Sequence, residues 1–72
     1  MTYHGGMRLT VNGEETTIPE FSTVHGLLEE AGLSDRPCAV EVNRQVVPRR
    51  THTEHRLAEG DVVEIVTLVG GG

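Results

Sequence analysis

The sequence predicts an α+β domain in which one helix packs on a mixed β-sheet, with the elements in the order ββαββ. Apolar and polar side chains alternate near the start of the chain, one later segment has helical spacing, and the segments after it alternate again. The chain has 72 residues, of which 36% are hydrophobic. A chain of this length forms one small domain, because domains span about 50 to 200 residues.

The first two strands are predicted to form a β-hairpin. Apolar and polar side chains alternate over residues 7–11, and a second alternating segment covers residues 15–18. Between them lie Asn12 and Gly13, two residues that tolerate the positive φ angles of a tight turn. Pro19 ends the second strand, because proline cannot donate a hydrogen bond to a neighbouring strand.

One short helix is predicted after the hairpin. Ser22 or Thr23 can cap the free amides at its start, and Gly32 ends it. The apolar positions follow the spacing i, i+3, i+4, i+7 and are Val24, Leu27, Leu28 and Ala31. The helix therefore has one apolar face, which it must bury against the sheet.

Three further strands are predicted after the helix. Residues 38–42 alternate, and residues 46–47 form a short fourth strand that Pro48 ends. Residues 49–56 are polar throughout and are predicted to be a surface loop. Residues 62–69 are the longest and most apolar strand, which suits the centre of the sheet. This order of elements is that of a β-grasp fold.

The predicted core consists of the apolar side chains that share one phase in each element, with Phe21 near the start of the helix. Cys38 is in phase with the core positions of its strand and is predicted to be buried there, because free cysteine is among the most buried residue types. The other core residues are Leu9, Val11, Ile18, Val24, Leu27, Leu28, Val40, Val42, Leu57, Val63 and Ile65.

The composition disfavours several classes of function. Eleven acidic residues and six arginines give a net charge of −5, which disfavours binding to nucleic acid and to anionic membranes. The single cysteine, Cys38, cannot form an intrachain disulfide, and the start of the chain does not resemble a secretion signal, so we expect a cytoplasmic protein. No apolar segment approaches the roughly 18 residues needed to cross a bilayer.

The titratable residues do not suggest an active site. His52, His55 and Glu54 lie close together in the polar segment, but their spacing falls short of a metal site, and we predict a solvated loop there. Arg49 and Arg50 are as compatible with a solvated surface as with an acidic partner. We identify no catalytic residue and no metal ligand.

The last residues are predicted to be a flexible tail. Gly70, Gly71 and Gly72 have no side chains to hold them in a sheet, and glycine loses the most entropy on ordering. Three such residues span up to about 10 Å and can enter a narrow tunnel. The predicted organisation is a flexible leader over residues 1–6, a domain over residues 7–68 and the tail over residues 69–72.

Six short motifs in this order resemble the ThiS sulfur carriers of thiamin biosynthesis, which have a ubiquitin-like β-grasp fold. The motifs are residues 11–14, 23–28, 40–43, 46–49, 59–61 and 63–66, followed by the glycines. The resemblance covers residues 7–72, and the leader lies outside it. Each motif alone is weak, but their order, their spacing and the final glycines together make the resemblance specific.

The resemblance implies a protein cosubstrate that is not itself an enzyme and binds no cofactor. A ThiF-like adenylating enzyme would use ATP to activate the Gly72 carboxylate, and a desulfurase or sulfurtransferase would supply sulfur. The product is a thiocarboxylate on Gly72, and a ThiG-like thiazole synthase would receive the sulfur. Gly70 and Gly71 would give clearance to the reacting end.

Three alternatives remain open. The small subunit of molybdopterin synthase has the same fold and terminus, but such chains tend to be longer and to have prolines before the glycines, whereas here residues 67–69 continue the strand. A ubiquitin-like modifier would acylate lysines on a target, although this chain has no lysine with which to form polymers of itself. A β-grasp interaction module would not need its tail.

The final strand predicts a surface for partners. If Val63 and Ile65 face the helix, the alternate residues must face the other side of the sheet. These are Val62, Glu64, Val66 and Leu68. No second helix remains to cover them, and exposed apolar patches mark interfaces. Ala39 and Glu41 extend this predicted surface on a neighbouring strand.

Overall fold

The computed structural model describes residues 6–68 and contains one five-stranded sheet with a single α-helix packed on one face. The strands are β1 (Gly6–Val11), β2 (Glu14–Pro19), β3 (Cys38–Val42), β4 (Gln45–Val47) and β5 (Val62–Thr67), and the helix is α1 (Val24–Glu30). Their order across the sheet is β2-β1-β5-β3-β4. The pair β1–β5 is parallel and the other pairs are antiparallel. The predicted β-grasp architecture, with the last strand at the centre, is confirmed.

The hairpin closes through the predicted turn. Asn12 and Gly13 have φ angles of 50° and 83°, which is the left-handed region that a two-residue hairpin turn needs. The register places Val11 opposite Glu14 and Met7 opposite Ile18. The predicted turn is confirmed, but both strands are longer than predicted: β1 begins at Gly6, and β2 spans Glu14–Pro19.

Thr23 caps the helix, and the chain after β4 completes the cap. The Thr23 Oγ1 atom accepts a hydrogen bond from the Gly26 amide at 3.1 Å. The amides of Val24 and His25 donate to the carbonyls of His55 and His52, both at 2.9 Å. The first amides of a helix have no partner within it, so the second segment satisfies donors that would otherwise need water.

The predicted surface loop over residues 49–56 is therefore wrong in part. Arg49–Thr51 forms a 3-10 helix, and the His52 side chain is buried, with 6% of its surface exposed. The His52 Nε2 atom lies 3.1 Å from the Val47 carbonyl oxygen and donates a hydrogen bond to it. A polar side chain can be buried in this way because its ring nitrogen finds a backbone acceptor.

The core lies between the helix and one face of the sheet, largely as predicted. Its members are Met7, Leu9, Ile18, Val24, Leu27, Leu28, Cys38, Val40, Val42, Val47, Leu57, Val63 and Ile65. Val11 is only partly buried against this cluster. Phe21 was predicted to be in the core, and this is wrong: its side chain is 73% exposed.

Phe21 is exposed because the chain turns sharply between β2 and α1. Its φ angle is 67°, and its ring lies against the guanidinium group of Arg56, 5.7 Å from the ring centre. This is a cation–π contact on the surface, which gives the ring a partner without burying it.

In the part of the chain that the structure describes, no helix has the length and apolarity needed to cross a membrane.

Candidate functional site

The end of β5 is the structural feature that leads into the predicted tail. Thr67 lies opposite Cys38 of β3, and the next amide, that of Leu68, donates to the Pro37 carbonyl at 2.8 Å. On the other side, β5 runs parallel to β1, with Val63 opposite Val11. The strand is therefore held on the β3 edge as far as Leu68, whereas its backbone pairing with β1 ends at Val63.

Two asparagines strengthen the attachment of β5. The Ile65 amide donates to Asn12 Oδ1 at 2.8 Å, and Asn12 Nδ2 donates to the Ile65 carbonyl at 3.2 Å. The Val62 amide donates to Asn43 Oδ1 at 2.9 Å. Each asparagine occupies a turn with positive φ, where its strand leaves the sheet. Its amide group therefore takes the place of the next backbone group of that strand.

Asn12 was predicted only as a turn residue, and Asn43 was noted only as the last residue of the motif over residues 40–43. A turn position explains why asparagine is tolerated there, but the contact across to β5 depends on which strand lies beside the turn. The signal available in the sequence was that both asparagines directly follow a predicted strand. They act by positioning β5 and have no chemical role of their own in the geometry.

The phase predicted for β5 is confirmed. Val63 and Ile65 are buried, and the alternate side chains are on the open face of the sheet, opposite the helix. Exposure is 46% for Val62, 58% for Val66 and 51% for Leu68, and Glu64 is also exposed. We call these four residues, Val62, Glu64, Val66 and Leu68, the open-face row.

Residues of β3 and β4 continue this surface. Ala39 lies opposite Val66, and Glu41 lies opposite both Glu64 on β5 and Val46 on β4. Ala39 and Glu41 are exposed, as expected, and Val46 is 70% exposed. Val46 was not predicted to belong to this surface. The face on which it lies depends on its pairing with Glu41, which the sequence pattern alone does not give.

The contacts of the other candidate residues are of kinds that stabilise a fold. Cys38 is buried, as predicted, with its Sγ atom 3.9 Å from the Leu33 carbonyl oxygen. His25 lies 3.6 Å from Glu29 on the next turn of the helix. Among residues 6–68, no three histidine, cysteine, aspartate or glutamate side chains are grouped to hold a metal ion. The predicted tail residues Gly70, Gly71 and Gly72 lie outside the described residues.

The chain is similar to proteins of one family over nearly its whole length. The ThiS family model matches residues 1–72. A sulfur carrier protein ThiS from Bacillus subtilis is 32% identical over 89% of this chain and 98% of its own length. A thiazole synthase from Paramagnetospirillum magneticum is 41% identical over 92% of this chain, but the chain spans only 20% of the length of that protein.

The fold leads to the same family. The crystal structure of the thiamine biosynthesis protein ThiS from Geobacter metallireducens superposes with a TM-score of 0.77, at 33% sequence identity, over 92% of this chain and 100% of that one. The chain therefore belongs to the ThiS family.

Proposed function

We propose that this chain carries sulfur as a thiocarboxylate on Gly72 and delivers it for thiazole formation. The observation that supports this most is the place of β5: it is the central strand of the sheet, and the glycines begin three residues after its end at Thr67. When a partner enzyme binds the domain, a strand fixed in the sheet restricts the positions that the attached reacting group can occupy. The chain acts as a protein cosubstrate, so it needs neither a catalytic side chain nor a bound cofactor.

The proposed chemistry takes place on the carboxylate of Gly72. A carboxylate is a poor electrophile, so a ThiF-like enzyme joins it to the α-phosphate of ATP and releases pyrophosphate. The outer sulfur of a persulfide on a desulfurase or sulfurtransferase then attacks the carbonyl carbon, and AMP leaves. A thiol reduces the acyl disulfide that forms, breaking its S–S bond and releasing the thiocarboxylate. The resulting thiocarboxylate is ionised near neutral pH and nucleophilic, as thiolates are. Gly70 and Gly71, which lack side chains, leave room for the tail in both enzymes.

Thiazole synthase is the proposed recipient of the sulfur. In the relative from Paramagnetospirillum magneticum, a segment similar to this chain occupies 20% of a protein named thiazole synthase. A carrier and an acceptor within one polypeptide meet at high effective concentration, which supports a direct encounter between the two functions.

We propose the cytoplasm as the compartment, because the free thiol of Cys38 suits a reducing environment.

The open-face row is the surface that we propose binds the adenylating enzyme and thiazole synthase. It is apolar at Val62, Val66 and Leu68, and it lies on the strand that leads into the tail. An enzyme that binds this row holds the strand whose continuation must reach its active site. Exposed apolar patches on small soluble domains mark such interfaces.

Intact mass spectrometry tests the proposed chemistry. The purified chain is incubated with its adenylating enzyme, ATP and a sulfur donor, and the mass should increase by the difference between one sulfur and one oxygen. Omission of ATP is the control, because without an adenylate the carboxylate has no leaving group. If the mass does not change in the complete mixture, the carrier proposal is wrong.

Val66→Asp tests the open-face row. Val66 is 58% exposed, so the substitution should change the free energy of unfolding by less than about 1 kcal/mol. It should weaken binding to the adenylating enzyme and to thiazole synthase, because the substitution removes an apolar contact and the new carboxylate must lose water on binding. Calorimetric titration and thermal unfolding measure the two effects separately.

Val66→Thr is the matched control for shape, because threonine keeps the β-branch and the strand preference of valine. It should lose less affinity than Val66→Asp. Wild-type affinity of Val66→Asp for both enzymes would show that the row is not their binding surface.

A further inference from the structure

A groove crosses the open face of the sheet between β4 and β5. Its volume is about 230 Å³, and it is lined by Ala39, Val40, Glu41, Val46, Glu64 and Val66. Val46 and Val66 are two of the most exposed apolar side chains in the described part of the molecule, at 70% and 58%. The groove therefore has apolar walls that are open to solvent.

Two carboxylates face each other inside this groove. Glu41 of β3 and Glu64 of β5 are directly opposed in the register of the antiparallel pair. Side chains at opposed positions have Cβ atoms about 4.5 to 5.5 Å apart, so like charges there destabilise the sheet. Within residues 6–68, neither glutamate forms an ion pair with an arginine or histidine.

The other half of the sheet shows the contrast. There, the Arg8 guanidinium group lies 3.7 Å from a carboxylate oxygen of Glu15 and 3.7 Å from one of Glu59. The acidic side chains around β1 and β2 thus share a cation, whereas the pair formed by Glu41 and Glu64 has none in the described chain. The groove is left with uncompensated negative charge beside exposed apolar surface.

We propose that this groove receives an arginine or lysine side chain of thiazole synthase, with apolar side chains of that enzyme covering Val46 and Val66. This inference rests on the proposed function and adds the chemistry by which the partner is recognised. A cation seated between the two carboxylates relieves their repulsion, so binding regains free energy that the isolated domain loses. The charge also selects against partners whose matching surface is acidic or neutral.

A second copy of this chain is a poor occupant. In a symmetric dimer the same patch meets itself, so Glu41 and Glu64 would approach two more carboxylates. The net charge of −5 adds to that repulsion at longer range. Charge complementarity therefore favours a different, cationic protein.

The test compares Glu41→Gln, Glu64→Gln and the double variant with the wild-type chain. The double variant should unfold at a higher temperature, because a like-charge pair is removed. Its Kd for thiazole synthase should increase roughly tenfold or more, because a desolvated cation on the enzyme loses both partners. The affinity of the double variant should also depend less on salt concentration than that of the wild type.

Glu30→Gln is the matched control, because Glu30 is an exposed carboxylate on the helix, on the other side of the molecule, and has no ion pair within residues 6–68. It should leave the Kd unchanged. A double variant that binds thiazole synthase as tightly as the wild type would overturn the inference. So would a double variant that binds the synthase normally but is no longer adenylated, since the groove would then serve the adenylating enzyme.

Thiocarboxylate formation is measured on the same samples and separates the two proposals. If the wild-type chain is never converted to the thiocarboxylate, the proposed function has failed. If the wild-type chain is converted and the double variant binds thiazole synthase at least about tenfold more weakly than Glu30→Gln does, the groove acts as inferred, whatever the effect of the double variant on conversion, because Glu64 also belongs to the row proposed to bind the adenylating enzyme.

Discussion

Deletion of Gly72 is expected to abolish thiocarboxylate formation while leaving thermal unfolding unchanged. The shortened chain still ends in a glycine carboxylate, but its reacting carbon lies about 3.3 to 3.6 Å short of the position that the adenylating enzyme holds. A displacement of this size removes the alignment on which the reaction depends. The buried core of the described chain lies between Met7 and Ile65, so the deletion removes none of it. Intact mass and a melting curve measure the two outcomes.

A chain with one glycine added after Gly72 is the matched control. Its terminal group is chemically the same, and only the distance from β5 has changed, so it should also be modified poorly. If the shortened and the lengthened chains were both modified as efficiently as the wild type, the tail would not be read by length, and the carrier proposal would lose its main support. Loss of modification in both chains, with unchanged melting curves, supports delivery by a tail of defined reach.

The sequence predicted those parts of the fold whose side chains follow one period. The alternation of β5 determined which residues are buried, and the structure agrees at Val63 and Ile65. The helical spacing likewise predicted Leu27 and Leu28 as buried, whereas Ala31, which was assigned to the same face, is exposed just after α1 ends at Glu30. In each case one face of a single element meets the core, so the local pattern contains the necessary information.

The structure of the segment after β4 could not be predicted from the periodicity of its side chains. Residues 49–56 are polar and have no period, yet they are ordered by backbone hydrogen bonds to the start of α1. His52 is buried because its ring donates to the Val47 carbonyl, a contact that depends on the 3-10 turn after Pro48. Backbone bonds between distant segments leave no pattern in the side chains, so polarity alone indicated a loop.

The sequence predicted which side chains of β5 are exposed, but it did not predict which residues of the neighbouring strands lie beside them. The open-face row follows from the alternation of β5 alone. The opposition of Glu41 and Glu64 requires the register between β3 and β5, which are far apart in the sequence, and the place of Val46 requires the register of the β3–β4 hairpin. That register is set by the complete sheet, including the contacts of Asn12 and Asn43 with β5.

Leu28→Ala is expected to cost about 2 to 5 kcal/mol of the free energy of unfolding. The side chain is 4% exposed and packs in the core from the helix. It also lines a cleft of about 160 Å³, beside Cys38 and His52. Truncation would extend this cleft toward the core, where apolar walls give entering water few hydrogen-bond partners. Urea unfolding followed by circular dichroism measures the loss.

The expected loss is as large as the whole stability of many domains of this size, because a single core in a chain below about 80 residues supplies only about 3 to 5 kcal/mol. Leu28→Ala could therefore be largely unfolded without denaturant, and a second variant is needed. Leu28→Met keeps the volume and should cost less than about 1.5 kcal/mol. Glu30→Ala, on the exposed side of the same helix, should change stability by less than about 0.5 kcal/mol. Equal urea midpoints for Leu28→Ala and Glu30→Ala would mean that the helix does not bury Leu28 against the sheet.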